Sequence, residues 1–186
     1  EIAKMLSGVQ AEKHLVEFLR ESPPEAREGA LETITVMASF NEVLAGNLLN
    51  VSADVVVLNI LKGSNEPRIR NLCIQFLGAV SQFSSEHSGA FTANGGLAYL
   101  LSLLTSKGGR TPQEKEVLKA ISNILKNYRD VSGLLLLIKT PNLPSAVLAI
   151  LCKRISVFVQ TDAGAKKAFA KQRGLEVVWG LGFGVW

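Results

Sequence analysis

Apolar residues recur along this chain with a helical period. After Pro67 they fall at Ile69, Leu72, Cys73, Phe76, Leu77, Val80 and Phe83, the i, i+3, i+4, i+7 spacing of one buried stripe. The same spacing follows Pro112 (Val117, Leu118, Ile121, Ile124, Leu125, Tyr128), Pro144 (Val147, Leu148, Leu151, Ile155, Phe158) and Pro23-Pro24 (Ala30, Leu31, Ile34, Met37). Proline suits a first helical turn, where its missing N–H has no partner to lose and its φ is already helical. No stretch sustains the alternation of a half-buried strand. The spacing predicts an all-α chain.

The long helices also share a register. Ile34, Leu77, Ile121 and Ile155 occupy one position, and Met37, Val80, Ile124 and Phe158, three residues on, recur at steps of 43, 44 and 34 residues. A helical period in the low forties predicts armadillo or HEAT stacking. Each long helix follows a short apolar one: His14 to Leu19, Val55 to Leu61, Leu97 to Leu104, and Leu134 to Ile138. Small-residue breaks precede the first three, at Ser7-Gly8, Ser52-Ala53 and Asn94-Gly95-Gly96, and Arg173-Gly174-Leu175 reads as another such corner. A short helix, a corner, a second helix and a proline-started third helix predict the armadillo order rather than the two-helix HEAT order.

The expected fold is therefore an all-α, armadillo-repeat, right-handed superhelical solenoid. About four repeats plus a partial one are expected: roughly 1–41, 42–86, 87–129, a shortened 130–161 without its first helix, and a partial 162–186. A start at Glu1 and an unfinished last unit suggest a fragment of a longer array. Ile2, Met5 and Leu6 at one end, with Trp179 and Trp186 at the other, are expected to expose apolar surface and favour end-to-end self-association.

Composition narrows the function classes. With 186 residues and 47% hydrophobic content the chain can bury a real core and is too apolar for intrinsic disorder. Its two cysteines, Cys73 and Cys152, both lie on helical stripes, which excludes a disulfide framework and a thiolate zinc site and suits a reducing compartment. The longest apolar run, Leu134 to Ile138, falls far short of the roughly 18 residues of a membrane span, and no membrane partner is expected. The net charge of +4 is divided unevenly: residues 1–106 carry 7 basic and 11 acidic side chains, residues 107–186 carry 13 and 5. A basic half of this kind suits an acidic partner.

Catalytic readings find little support. His14 and His87, the only histidines, are too far apart in a stacked array to share a metal or a proton relay. Gly180, Gly182 and Gly184 follow no strand, and "KGGRTPQEK" lacks the end of a phosphate loop. No catalytic, cofactor-binding or metal site is expected. Armadillo proteins that read extended peptides place an asparagine amide on successive third helices, where it donates and accepts at once. Asn123 matches that position, but Val36, Ala79 and Val157 occupy it in the other units, so a full amide ladder is not expected. Lys115, Lys119 and Lys126 around Asn123, and a second cluster of Lys153, Arg154, Lys166, Lys167, Lys171 and Arg173, are expected to meet an acidic protein surface. Nucleic acid is not expected, because the clusters lack interleaved aromatics for base stacking.

Three strings, "AFTANGGLAYLLSLL", "LKAISNILKN" and "GAKKAFAKQRGLEVV", together with the shortened unit between the last two, resemble one armadillo family. It is the sperm-associated antigen six family, central-apparatus proteins of motile cilia and flagella. Two features depart from it: Ser7-Gly8-Val9 and Ser52-Ala53 replace the usual glycine pair, and "EVVWGLGFGVW" is unlike the family's tail. The resemblance implies a non-catalytic scaffold of the axonemal central apparatus that docks to tubulin and central-pair proteins and supports flagellar motility. It also implies self-association and a cytoplasmic, cytoskeletal location in the axoneme. The alternative is a general armadillo adaptor, import-receptor-like or catenin-like, that binds an extended peptide in its concave groove.

Overall fold

The structure, a computed structural model, describes residues 10–105, 112–140 and 142–179. These contain twelve α-helices, one short 3-10 turn and no strand. The longest helices are α2 (Arg27–Phe40), α5 (Pro67–Val80), α8 (Pro112–Asn127) and α10 (Ser145–Thr161). Pro24 opens the 3-10 turn that leads into α2, Pro67 and Pro112 are the first residues of α5 and α8, and Pro144 immediately precedes α10. They stack in chain order, α2 on α5, α5 on α8 and α8 on α10. Ile34, Leu77, Ile121 and Ile155 are all buried along this stack, as are Met37, Val80, Ile124 and Phe158. α5 and α8 approach closely: a Cβ on Gly78 would sit 2.9 Å from the Ala120 Cα.

The shorter helices fill the other two positions of each unit. α1 (Ala11–Glu21), α4 (Ala53–Gly63), α7 (Gly96–Thr105) and α9 (Val131–Ile138) each precede a long helix, and α12 (Gly174–Trp179) begins the same step again. α3 (Glu42–Asn50), α6 (Ser85–Ala93) and α11 (Ala163–Lys171) come before α4, α7 and α12. Each of these three starts on a side-chain cap: Asn41 accepts from the Leu44 N–H at 2.9 Å, Ser84 from His87 at 3.1 Å and Asp162 from Ala165 at 2.7 Å. Such a cap satisfies an otherwise orphaned helical N–H.

The corner into the next helix is built from one left-handed residue. Gln10, Ser52, Gly95 and Arg173 have φ of 50°, 60°, 76° and 52°, and each immediately precedes α1, α4, α7 or α12. A left-handed residue thus stands at Gln10 before α1; Ser7-Gly8 lies outside the described residues, as do Ile2, Met5, Leu6, Gly180, Gly182, Gly184, Trp186 and the side chain of Trp179. Of these four only Gly95 holds the left-handed region free of a Cβ penalty; Gln10, Ser52 and Arg173 adopt it at a steric cost.

Aromatic rings close these corners on glycine. A Cβ on Gly96 would lie 2.2 Å from the Phe91 ring, and one on Gly174 would lie 2.3 Å from the Phe169 ring. Between α8 and α9 only Tyr128, Arg129 and Asp130 intervene, and no short capped helix is present. There Tyr128 covers Gly133, whose Cβ would sit 2.4 Å from the phenol oxygen. The same five-residue spacing of ring and glycine is therefore moved from the end of a short helix to the end of a long one. Cys73 is fully buried, whereas Cys152 is only half-buried, against the expectation that both are core residues.

Leu48 and Ala53, both fully buried, hold the spacing that Phe91 and Gly96 hold one unit later, with a smaller side chain facing a larger one. Gly96→Ala is expected to destabilise the protein by about 1–3 kcal/mol through overpacking against a ring that cannot move away. In a Phe91→Leu background the same substitution is expected to cost at least about 1 kcal/mol less, since the two sites are coupled by one contact. Urea denaturation of the four proteins measures the coupling, and equal costs in both backgrounds refute it.

Candidate functional site

The long helices leave one broad cavity on their shared outer face. It has a volume of about 420 Å³ and spans α2, α5 and α8. Its floor is Ile74, Gly78, Ala79 and Ala120, small enough at the α5–α8 crossing to bring the two backbones close. Its walls are polar: Thr35 and Ser39 from α2, Gln75 and Gln82 from α5 and the turn after it, and Glu116, Lys119 and Asn123 from α8. The hydroxyls of Thr35 and Ser39 donate to the Leu31 and Thr35 carbonyls at 2.6 and 2.8 Å, so they offer the cavity only lone pairs. Asn127 Nδ2 donates to the Gln82 carbonyl, which pins the end of α8 to the end of α5 and leaves Asn123, one turn back, facing the cavity.

Of the residues singled out from sequence, Asn123 and Lys119 meet in this cavity and the rest do not. Lys115 and Lys126 are exposed on α8, Lys153 is exposed and Arg154 half-buried on α10, and Lys166, Lys167 and Lys171 are exposed on α11. Arg173 is exposed at a corner and reaches Glu176 at 3.4 Å. The asparagine column stays incomplete: Ala79 is buried, while Val36 and Val157 are 66% and 42% exposed. The amides Gln75 and Gln82 were not anticipated. They lie one register row away from Asn123, and the signal for them was a polar i, i+7 pair opposite the apolar stripe of α5.

A second cavity of about 380 Å³ lies between α3, α4 and α6, lined in part by Asn50, Asp54, Glu86, His87 and Asn94. Asp54 is buried in the first turn of α4, and its desolvation holds the carboxyl above the usual range, with the Val55 and Asp54 N–H groups and nearby His87 pulling the other way. Burial pushes the Cys73 thiol up to about 12, so it stays a neutral thiol at physiological pH. Among the described residues no three His, Cys, Asp or Glu side chains are placed to share a metal ion. No single described helix is long and apolar enough to cross a membrane; α3 and α4 together have the composition but meet at 75°.

This architecture is similar to that of several solved engineered proteins. One from the Northeast Structural Genomics Consortium is 20% identical over 96% of this chain and 74% of its own, with a TM-score of 0.65. A designed armadillo repeat protein in complex with the peptide (KR)4 is 18% identical over 94% of this chain and 75% of its own, also at 0.65. Computationally designed armadillo repeat proteins for modular peptide recognition give 17% identity, 94% and 76% coverage and a TM-score of 0.64. The fold is an all-α armadillo solenoid. No protein-family model matches the chain, and no curated protein is similar to it.

The buried carboxyl gives this region of the solenoid a pH signature. Because Asp54 is held above its unfolded value, its ionised form opposes folding at pH above both values, and this penalty disappears as the pH falls below the unfolded one. Asp54→Asn is therefore expected to raise the Tm at pH 7, with the gain shrinking towards zero near pH 3. Thermal melts across that range check it, and a lower Tm at pH 7 or a pH-independent difference contradicts it.

Proposed function

We propose that this chain is a non-catalytic protein-interaction scaffold that binds an extended peptide segment across α2, α5 and α8. The carrying observation is the cavity itself: hydrogen-bonding side chains from all three helices stand over a floor of Ile74, Gly78, Ala79 and Ala120. The three small residues of that floor leave room for a peptide backbone beside Ile74, and Gln75, Gln82 and Asn123 supply amides that both donate to and accept from that backbone. The likeness to armadillo proteins designed for modular peptide recognition supports this reading. The chemistry of the wall differs from what a polycationic peptide needs. Glu116 is its only acid and Lys119 stands one turn away, so the groove favours segments rich in uncharged polar residues over Lys/Arg repeats.

Selection of peptides from a random display library on the purified chain tests the reading. Selected peptides are expected to lose about fivefold or more in affinity on Gln75→Ala and again on Asn123→Ala, each removing a bond worth about 1 kcal/mol. Selected peptides indifferent to both substitutions count against the groove.

The finer proposal rests on the family resemblance: a scaffold of the axonemal central apparatus, in contact with tubulin or central-pair proteins and located in the cytoskeleton of a cilium or flagellum. The exposed Lys166, Lys167 and Lys171 on one short helix, α11, favour an acidic lattice as partner. Such contacts are weak and salt-sensitive, because screening acts over about 8 Å at physiological ionic strength. Microtubule co-sedimentation is expected to fall several-fold on combined Lys166→Glu and Lys167→Glu, and a tagged protein is expected on the axoneme. Unchanged pelleting, or a nuclear or junctional location, argues for the general adaptor instead.

A further inference from the structure

Charge is neutralised unevenly over the described residues. In the first half, Arg68 bridges Glu28 at 2.5 Å and Glu32 at 3.1 Å, and Arg70 donates to the Leu61 and Ser64 carbonyls at the end of α4. In the second half three of the acids are engaged by other groups. Asp162 caps α11, Asp130 accepts from the Tyr128 hydroxyl at 3.4 Å, and Glu176 faces Arg173. Lys126, Arg129, Lys153 and Arg154 have no ion pair among the described residues.

Arg154 is the most unusual of these. It is half-buried on α10, its guanidinium lies 4.8 Å from the centroid of the Phe158 ring, and its Nε is buried without an acceptor among the described residues. Desolvation lowers the guanidinium's pKa, and repulsion from Arg129, just beyond the end of α8, adds to it. A partly desolvated cation set beside a like charge is unfavourable until an anion joins it. A guanidinium carries N–H donors in a fork that matches the two oxygens of a carboxylate, and the Phe158 ring below it limits where that fork can sit.

We propose that Arg154 and Arg129 form an anion-docking site at the α8–α10 seam, which takes a side-chain carboxylate from an acidic polypeptide segment. Lys153, beside Arg154 in sequence, and Lys126, one turn before Arg129, extend the positive field, so a run of acidic residues is favoured over a lone carboxylate. Nucleic acid fits less well. Phe158 is buried under Arg154 and Tyr128 is buried at its corner, which leaves no ring at this seam for a base to stack on. Neither Arg129 nor Arg154 lines the 420 Å³ cavity, so the site stands apart from the peptide groove.

Fluorescence anisotropy with labelled acetyl-hexaglutamate amide, at low and physiological salt, tests the site. The native chain is expected to bind it saturably and to ignore the hexaglutamine analogue. Arg154→Met, which keeps an apolar stem on Phe158, and Arg129→Gln are each expected to weaken binding by about tenfold or more. Arg154→Met is also expected to raise the Tm, because it removes the repulsion, whereas a merely structural arginine would lower it. Should that variant fail to fold, Arg129→Gln, at an exposed residue, decides the matter. Hexaglutamate affinity within about twofold of native in Arg129→Gln overturns the proposal. So does tighter binding of hexathymidylate, or loss of hexaglutamate binding on Gln75→Ala and Asn123→Ala in the groove.

Discussion

The long helices can stack only as closely as the side chains between them allow, and Gly78 against Ala120 sets that limit at the α5–α8 crossing. With a hypothetical Cβ 2.9 Å from backbone, no residue other than glycine fits there without moving a helix. The consequences run in two directions. Inward, the close approach keeps Leu77 and Ile121 in one continuous buried column with Ile34 and Ile155. Outward, the same approach gives the polar cavity a floor in which Gly78, Ala79 and Ala120, beside Ile74, present no side chain longer than a methyl group. In a solenoid, where each unit touches only its neighbours, the spacing at one crossing is passed along the row and not averaged over a globular core. Core and groove are thus two faces of a single packing constraint.

The corners impose a second, local constraint that explains how one triplet can lose a helix without losing its place. Phe91 on Gly96 and Phe169 on Gly174 lock a short helix to the one after it. Before α9 there is no short helix to supply the ring, and Tyr128 at the end of α8 takes over above Gly133. Its hydroxyl reaches Asp130 in the connecting turn, so the ring is held at both ends. Ring over glycine is therefore a joint used independently of which helix carries the ring.

Much of this was legible from spacing alone, and the exceptions share a cause. Proline-started long helices and the columns at Ile34 and Met37 follow from a 3.6-residue period, which is a property of one helix and needs no knowledge of its neighbours. The left-handed turn at Gln10 escaped because glutamine adopts that region rarely, so composition carries no signal for it. Gln75 and Gln82 escaped for a related reason. Whether a polar residue on an outer face lines a cavity depends on the helix beside it, and the asparagine column directed attention to a single row. Arg129 escaped because it is a neighbour of Arg154 in space only, across the seam between two helices.

Two arginine environments in this chain show what the uneven charge means physically. Arg68 is exposed and sits between two carboxylates, an arrangement of the kind that contributes little to stability and can be lost without consequence. Arg154 has the reverse setting: it is partly dehydrated, placed over a ring and repelled by Arg129. The contact with the Phe158 ring offsets part of that cost, and an apolar side chain on the same stem would pack against Phe158 without the penalty. Local choices that oppose stability in an otherwise consistent sequence concentrate at functional sites. By that reasoning the number that matters is not the overall charge of +4 but the small set of cations, at one seam, whose compensation must come from another molecule.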